Sequence, residues 1–194
     1  MAVSPEFQSL SWSLVHRGRV FELGIEEVVL PGGTRARLDL IRHPGAAAVL
    51  PLDAKGEVLL LRQFRRAAEA YLWEIPAGTR EPGEDPATCA RRELAEEAGL
   101  RASTWIDLGD VLPAPGYTTE TIRLFAARDL EPVATRRDDD EIISEVRGFR
   151  PDELWDAVRV GTLRDGKTMA ALLRALAAGL LDLGPVGPLG PGAS

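Results

Sequence analysis

The chain has 194 residues, 45% of them hydrophobic and 27% charged, with a formal net charge of −7 at pH 7. That balance fits a soluble globular domain with a small appendage and argues against binding nucleic acid through a broad basic surface. Cys89 is the only cysteine, which excludes an intrachain disulfide and fits a reducing, cytoplasmic setting, and no apolar run is long enough to be read as a membrane span.

The first residues, MAVSPEFQSLSWSL, lack the charged start and apolar core of a signal peptide. Residues 10–43 alternate apolar and polar positions in pieces. Segments 17–30 and 34–43 flank a turn at Pro31-Gly32-Gly33, the pattern of an antiparallel hairpin. Residues 45–53 and 56–64 read as a second pair of strands, joined by a turn around Asp53 to Gly56. Residues 71–78, YLWEIPAG, form a short strand stopped at Pro76, because proline donates nothing to a sheet ladder. A helix is expected from Pro86 to about Ala98. Asp85 suits its N-cap, Pro86 its first turn and Gly99 its C-terminal stop.

Residues 103–112 and 119–130 read as strands around the loop Pro113-Ala114-Pro115-Gly116. An acidic segment, residues 136–141, leads to a strand at 143–149 and to helices at 151–161 and 166–181. Together these elements predict an α/β fold, a sandwich built on a mixed sheet. A small antiparallel β region would occupy residues 1–43, the main domain 44–183 and a Gly/Pro-rich tail 184–194. Tyr71 and Trp73 read as core residues, and His16 and His43 as surface or hydrogen-bonded histidines without metal-ligand spacing.

The expected central helix carries an unusual set of like charges. Glu93 and Glu97 share one face with Glu96 beside them, while Ala87, Ala90 and Leu94 make the apolar stripe. Like charges at i,i+4 weaken an isolated helix by roughly a few tenths of a kcal/mol. Either this is a solvated acidic face, or a cation belongs between the side chains. Clustered carboxylates are hard oxygen ligands suited to Mg²⁺ or Mn²⁺, and Cys89 nearby reads as a packing residue.

From Gly78 to Leu100 the sequence GTREPGEDPATCARRELAEEAGL matches the Nudix box, G-x5-E-x7-R-E-U-x-E-E-x-G-U with U aliphatic, at every specified position. The chain therefore resembles the Nudix hydrolase superfamily. A plain acidic helix would explain the glutamates but not Gly78, Gly99 or the distant Glu84. The resemblance implies the Nudix α/β/α sandwich, and hydrolysis of a nucleoside diphosphate linked to another group with two or three Mg²⁺ or Mn²⁺ ions. It implies Glu93 and Glu97 as metal ligands and Glu96 as a ligand or water-orienting partner. Arg92 would hold these carboxylates, Glu84 would brace the loop or reach a metal through water, and the Ala77 carbonyl would be a backbone ligand.

Features outside the box resemble the ADP-ribose pyrophosphatase branch. In RQFRRAAEAYLWEIPAG, Arg65 matches an arginine that contacts phosphate in that branch. In PAPGYTTE, Pro115 and Gly116 match its proline loop, with Ala114 replacing the usual serine. The acidic segment matches a loop supplying a further carboxylate, with Glu141 the first choice and Asp140 the second. Glu141 or Glu96 would take the proton from water. Arg37 and Asp39 match a strand that reaches the partner subunit's site near the adenine, although plain surface charge explains them equally. Phe21 is a candidate for stacking on the base, and a homodimer is implied. A pyrophosphatase acting on GDP-mannose, or on NADH or a dinucleoside polyphosphate, fits the same box. An inactive nucleotide sensor is the reading from another class, but Glu93, Glu96 and Glu97 are all retained, which favours an enzyme.

Overall fold

The computed structural model describes residues 6–134 and 142–182. The N-terminal sheet is an antiparallel meander of β1 (Gln8–Arg17), β2 (Glu22–Val29) and β3 (Arg35–Arg42), in that order. Gly32 and Gly33 turn the chain between β2 and β3 with φ of 87° and 83°, a conformation open to glycine and costly for residues with a Cβ. The Trp12 ring of β1 lies across β2 so closely that a Cβ on Gly24 would sit 2.3 Å from it, and the Arg42 guanidinium lies 3.7 Å from the ring centre. Residues 112–121, far along the chain from β3, group with this unit. Ile41 donates to the Tyr117 carbonyl at 2.8 Å and accepts from Thr119 N–H at 2.9 Å.

The second unit comprises residues 46–111 and those from 122 onward. Its larger sheet has the order β7 (Ala77–Thr79), β4 (Ala46–Pro51), β9 (Ile122–Pro132), β8 (Leu100–Val111), with β4 and β9 parallel and the other pairs antiparallel. A second sheet has the order β10 (Ile143–Phe149), β5 (Val58–Arg65), β6 (Ala70–Glu74). Successive residues of a strand face opposite ways. Ala47 and Val49 of β4 accordingly pack with Cys89, Ala90 and Leu94 of α1 (Pro86–Ala98). Ala46, Ala48 and Leu50 pack on the other side with Leu154 of α2 (Pro151–Arg159) and with Ala171, Leu172 and Ala175 of α3 (Gly166–Ala177). This is the mixed α/β/α sandwich expected from the sequence.

Helix α1 has the expected limits. The Asp85 carboxylate accepts from the N–H groups of Ala87 and Thr88, and Gly99 closes the helix at φ 67°. The strands at 45–53 and 56–64 differ from expectation, because they do not form one hairpin. After the turn at Asp53–Gly56 they share a single bridge, Leu52 to Val58, and then enter different sheets. Strand β4 is buried throughout and has both edges filled, by β7 and β9, which leaves none for β5. Tyr71 is also exposed rather than buried, because β6 is an edge strand. Its ring meets Phe64 edge-on, while Trp73 packs against the core and Phe149. No helix among the described residues is long and apolar enough to cross a membrane.

Leu94 anchors α1 to the sheet and is fully buried. Leu94→Ala should therefore destabilise the fold by about 2–5 kcal/mol, read as a lower urea midpoint at unchanged slope.

Candidate active site

The acidic face of α1 lies against β7. Glu97, 1% exposed, accepts the Ala77 N–H on Oε2 at 2.8 Å. Glu93, 5% exposed, lies against Gly78 so closely that a Cβ there would be 1.8 Å from its Oε1. Only glycine lets that carboxylate reach the strand. The guanidinium of Arg92 gathers the other acids. Its Nε and Nη2 each donate to Glu84 at 3.1 Å, and its Nη1 donates to Glu93 at 2.7 Å and to Glu96 at 3.0 Å. Nη2 also reaches the Thr79 carbonyl at 3.2 Å.

These bonds answer the repulsion expected along the helix, since a planar fork of donors can serve several carboxylates at once. The hydrogen bonds to Glu84, then the charge of Glu93, raise Arg92 above its ordinary value against the opposing effect of burial. The same Arg92 bonds hold the Glu84 carboxyl below the usual glutamate value. Glu84 also braces its loop: its Oε2 accepts the Glu81 N–H at 2.9 Å, and its carbonyl accepts from Arg80 Nε at 2.8 Å. Cys89 is buried, and burial, followed by the charges of Glu93 and Glu84, pushes its thiol up to about 12. It is a neutral thiol donating to the Gly78 carbonyl at 3.5 Å, so it offers neither a thiolate nucleophile nor a soft ligand.

A second charged group adjoins the first. Arg65 grips Glu74 with two bonds, Nε to Oε1 at 2.8 Å and Nη2 to Oε2 at 2.7 Å. Lys167 from α3 donates to Glu74 as well, and to Asp165 at 3.0 Å. The bonds to Glu74 raise Arg65 above its ordinary value, and the charge of Glu97 adds to the effect. Burial pushes the Glu74 carboxyl up, but the bonds from Arg65 and the charge of Lys167 outweigh it and leave it below the usual glutamate value. Sequence reading found Arg65 and missed Glu74, Lys167 and Asp165. Two signals were available: Glu74 is an acid between Trp73 and Ile75, and Lys167 is one of only two lysines in an arginine-rich chain.

The structure thus brings Ala77, Glu84, Arg92, Glu93, Glu96 and Glu97 together. Apart from Arg65, the remaining candidates belong to the first unit or lie outside the described residues. Arg37 and Asp39 stand on β3 opposite Glu27 and Ile25, and Phe21 is exposed just before β2. Pro115 and Gly116 lie in the loop clipped to Ile41. These belong to the first unit. Glu141 and Asp140 lie outside the described residues.

No three His, Cys, Asp or Glu side chains among the described residues form a ready-made metal cage. The donor chemistry nevertheless fits a hard divalent cation, because Glu93, Glu96 and Glu97 offer carboxylate oxygens and the nearby thiol is neutral. Mg²⁺ in particular is commonly bound through one or two carboxylates completed by water and substrate phosphate oxygens.

The NUDIX domain family matches residues 41–174. The chain belongs to the Nudix family. It is 33% identical over 171 residues to the ADP-ribose pyrophosphatase of Bacillus subtilis (strain 168), covering 87% of this chain and 92% of that protein. It is 35% identical over 147 residues to the ADP-ribose pyrophosphatase of Mycobacterium tuberculosis (strain ATCC 25618 / H37Rv), covering 75% and 71% respectively. A solved structure of an ADP compounds hydrolase shares the fold with a TM-score of 0.76 at 22% identity, covering 93% of this chain and 100% of that one. This Nudix protein is a pyrophosphohydrolase, and Nudix hydrolases generally use divalent metals.

Two outcomes follow from the site's packing. Gly78→Ala should displace the Glu93 carboxylate and lower turnover on the order of a hundredfold while the melting temperature changes little. The second concerns acid stability. Because the folded Glu74 carboxyl titrates below its ordinary value, its contribution is complete above a pH of roughly 4.3 and lost as pH falls through the depressed value. Thermal midpoints should therefore hold from pH 8 to pH 6 and fall in acid, and Glu74→Gln should flatten that acid limb.

Proposed function

We propose that this Nudix hydrolase cleaves the pyrophosphate of ADP-ribose to AMP and ribose 5-phosphate, using two or three Mg²⁺ or Mn²⁺ ions. The observation that carries the reading is the set of glutamates gathered on Arg92 and β7, with Arg65 near enough for its charge to be felt by Glu97. The similarity to two ADP-ribose pyrophosphatases supports the choice of substrate.

In this reading Glu93, Glu97 and Glu96 hold the metal, with the Ala77 carbonyl as a backbone ligand and Glu84 bracing the loop. Bound divalent cations supply charge neutralisation at the pyrophosphate and a lower pKa for the attacking water. Arg92 keeps like-charged carboxylates facing one site. Arg65 neutralises negative charge as it builds on the phosphate oxygens. Glu96, the most exposed of the three α1 glutamates, accepts the proton from water as the new P–O bond forms and the bridging P–O bond breaks. Glu141 is the other candidate for that role. Arg37 and Asp39 serve the nucleoside in the partner subunit's site, and Phe21 and the Pro115–Gly116 loop are the other candidates for substrate contact.

The protein acts as a cytoplasmic homodimer in this proposal. Support for the dimer comes from β1, a ten-residue edge strand with Leu10, Leu14 and Val15 exposed. Light scattering at micromolar concentration should give twice the chain mass; a monomer rejects that part of the reading.

Incubation with ADP-ribose, GDP-mannose or NADH and Mg²⁺, with products resolved by mass, tests the substrate. AMP and ribose 5-phosphate are the expected products, with chelation abolishing their release and added metal restoring it. Glu97→Gln should lower turnover on the order of a thousandfold. Binding of ADP-ribose without release of AMP would mark a sensor instead.

A further inference from the structure

Glu74 is a carboxylate with 1% exposure inside an apolar stretch, and it has no direct part in the proposed hydrolysis. Its surroundings are organised in two directions. In one direction it holds Arg65 by one edge of the guanidinium, the Nε and Nη2 edge. Arg65's side chain is 40% exposed, and Nη1 is the nitrogen not engaged with Glu74. Towards α3 it takes Lys167, whose side chain is 12% exposed, on the same oxygen that receives Arg65 Nη2. Asp165 holds Lys167 from behind and caps α3 by accepting the Thr168 N–H at 2.9 Å. The Thr168 hydroxyl donates to Asp165 at 2.6 Å and accepts the Ile75 N–H at 2.9 Å. The start of α3 is therefore fastened to the residues just before Ala77 and Gly78.

Buried ion pairs are poor devices for stability, since well-packed apolar side chains in the same place often do as well or better. They do fix orientation. A guanidinium gripped by two bonds has its plane set, and the carboxylate that grips it needs a fixed plane of its own. Lys167 contributes to that by donating to Glu74 Oε2, the oxygen that also accepts from Arg65 Nη2.

We propose that Lys167 and Glu74 are positioning residues for the pyrophosphate reaction: Lys167 pins the Glu74 carboxylate, and Glu74 turns Arg65 so that its Nη1 edge meets the substrate's phosphate. This rests on the reading of Arg65 as a phosphate-binding residue.

The test is a cycle of wild type, Lys167→Met, Arg65→Gln and the double variant, each assayed for kcat/KM with ADP-ribose and Mg²⁺. Calorimetric titration with inorganic pyrophosphate and Mg²⁺ gives a second readout that needs no turnover. Lys167→Met should lower kcat/KM by about tenfold, and weaken pyrophosphate binding similarly, in the Arg65 background, yet change neither by more than about twofold once Arg65 is gone. Lys167→Arg, which keeps the charge, should restore most of the loss. Equal losses in both backgrounds, or a folded Lys167→Met chain with wild-type kcat/KM, would overturn the proposal. So would an Arg65→Gln chain as active and as tightly bound to pyrophosphate as wild type. If Lys167→Met does not fold, Glu74→Gln replaces it in the same cycle with the same expected outcomes. A wild-type chain that cleaves GDP-mannose and not ADP-ribose rejects the substrate reading alone. The cycle, run on GDP-mannose, then returns the same supporting or overturning result.

Discussion

Between α1 and β7, three carboxylates of like sign are held within hydrogen-bond reach of one guanidinium, that of Arg92. In water such a cluster would spread apart. Here Glu84 is drawn from its loop, and Glu93 and Glu96 from the helix, onto a side chain whose donors lie in one plane. Glu97 is placed separately, by the Ala77 N–H. The loop at 80–85, the second half of α1 and the end of β7 all meet at these bonds. The acidic face of the helix is thereby held against β7 rather than left as a solvated surface.

Closeness is the second condition. Glu93 can approach β7 because residue 78 has no side chain, and α1 can approach the sheet because Cys89, Ala90 and Leu94 fit against Ala47 and Val49. A bulkier stripe would lift the carboxylates away from the strand that meets them. The opposite face of β4 is covered by α2 and α3 residues, so the strand beneath the site is packed from both sides. The segment leading into β7 is fastened twice, by the Ile75 N–H to Thr168 and by the Val49 N–H to the Pro76 carbonyl. Site geometry in this Nudix domain is thus a property of packing as much as of the charged residues themselves.

Much of this was legible in the residues. The limits of α1 could be read because Asp85, Pro86 and Gly99 act on backbone groups within a turn of themselves. The turn at Gly32-Gly33 could be read for the same reason. The partition of β4 and β5 between two sheets could not, because it depends on which distant strands fill the edges of β4. Nor could the exposure of Tyr71, which follows from β6 being an edge. The link from Lys167 to Glu74 joins residues 93 apart in sequence, and no local pattern announces it.

The sequence by itself determined the family, the mixed α/β/α architecture and the glutamates that gather at α1, because motif spacing, helix caps and apolar periodicity act over short stretches of chain. Only the tertiary structure decided that Arg65 is gripped by a buried acid. It also decided that α3 helps to hold that acid in place. These are pairings of charged groups across the fold, and a charge taken out of water settles on whichever partner the packing brings within reach.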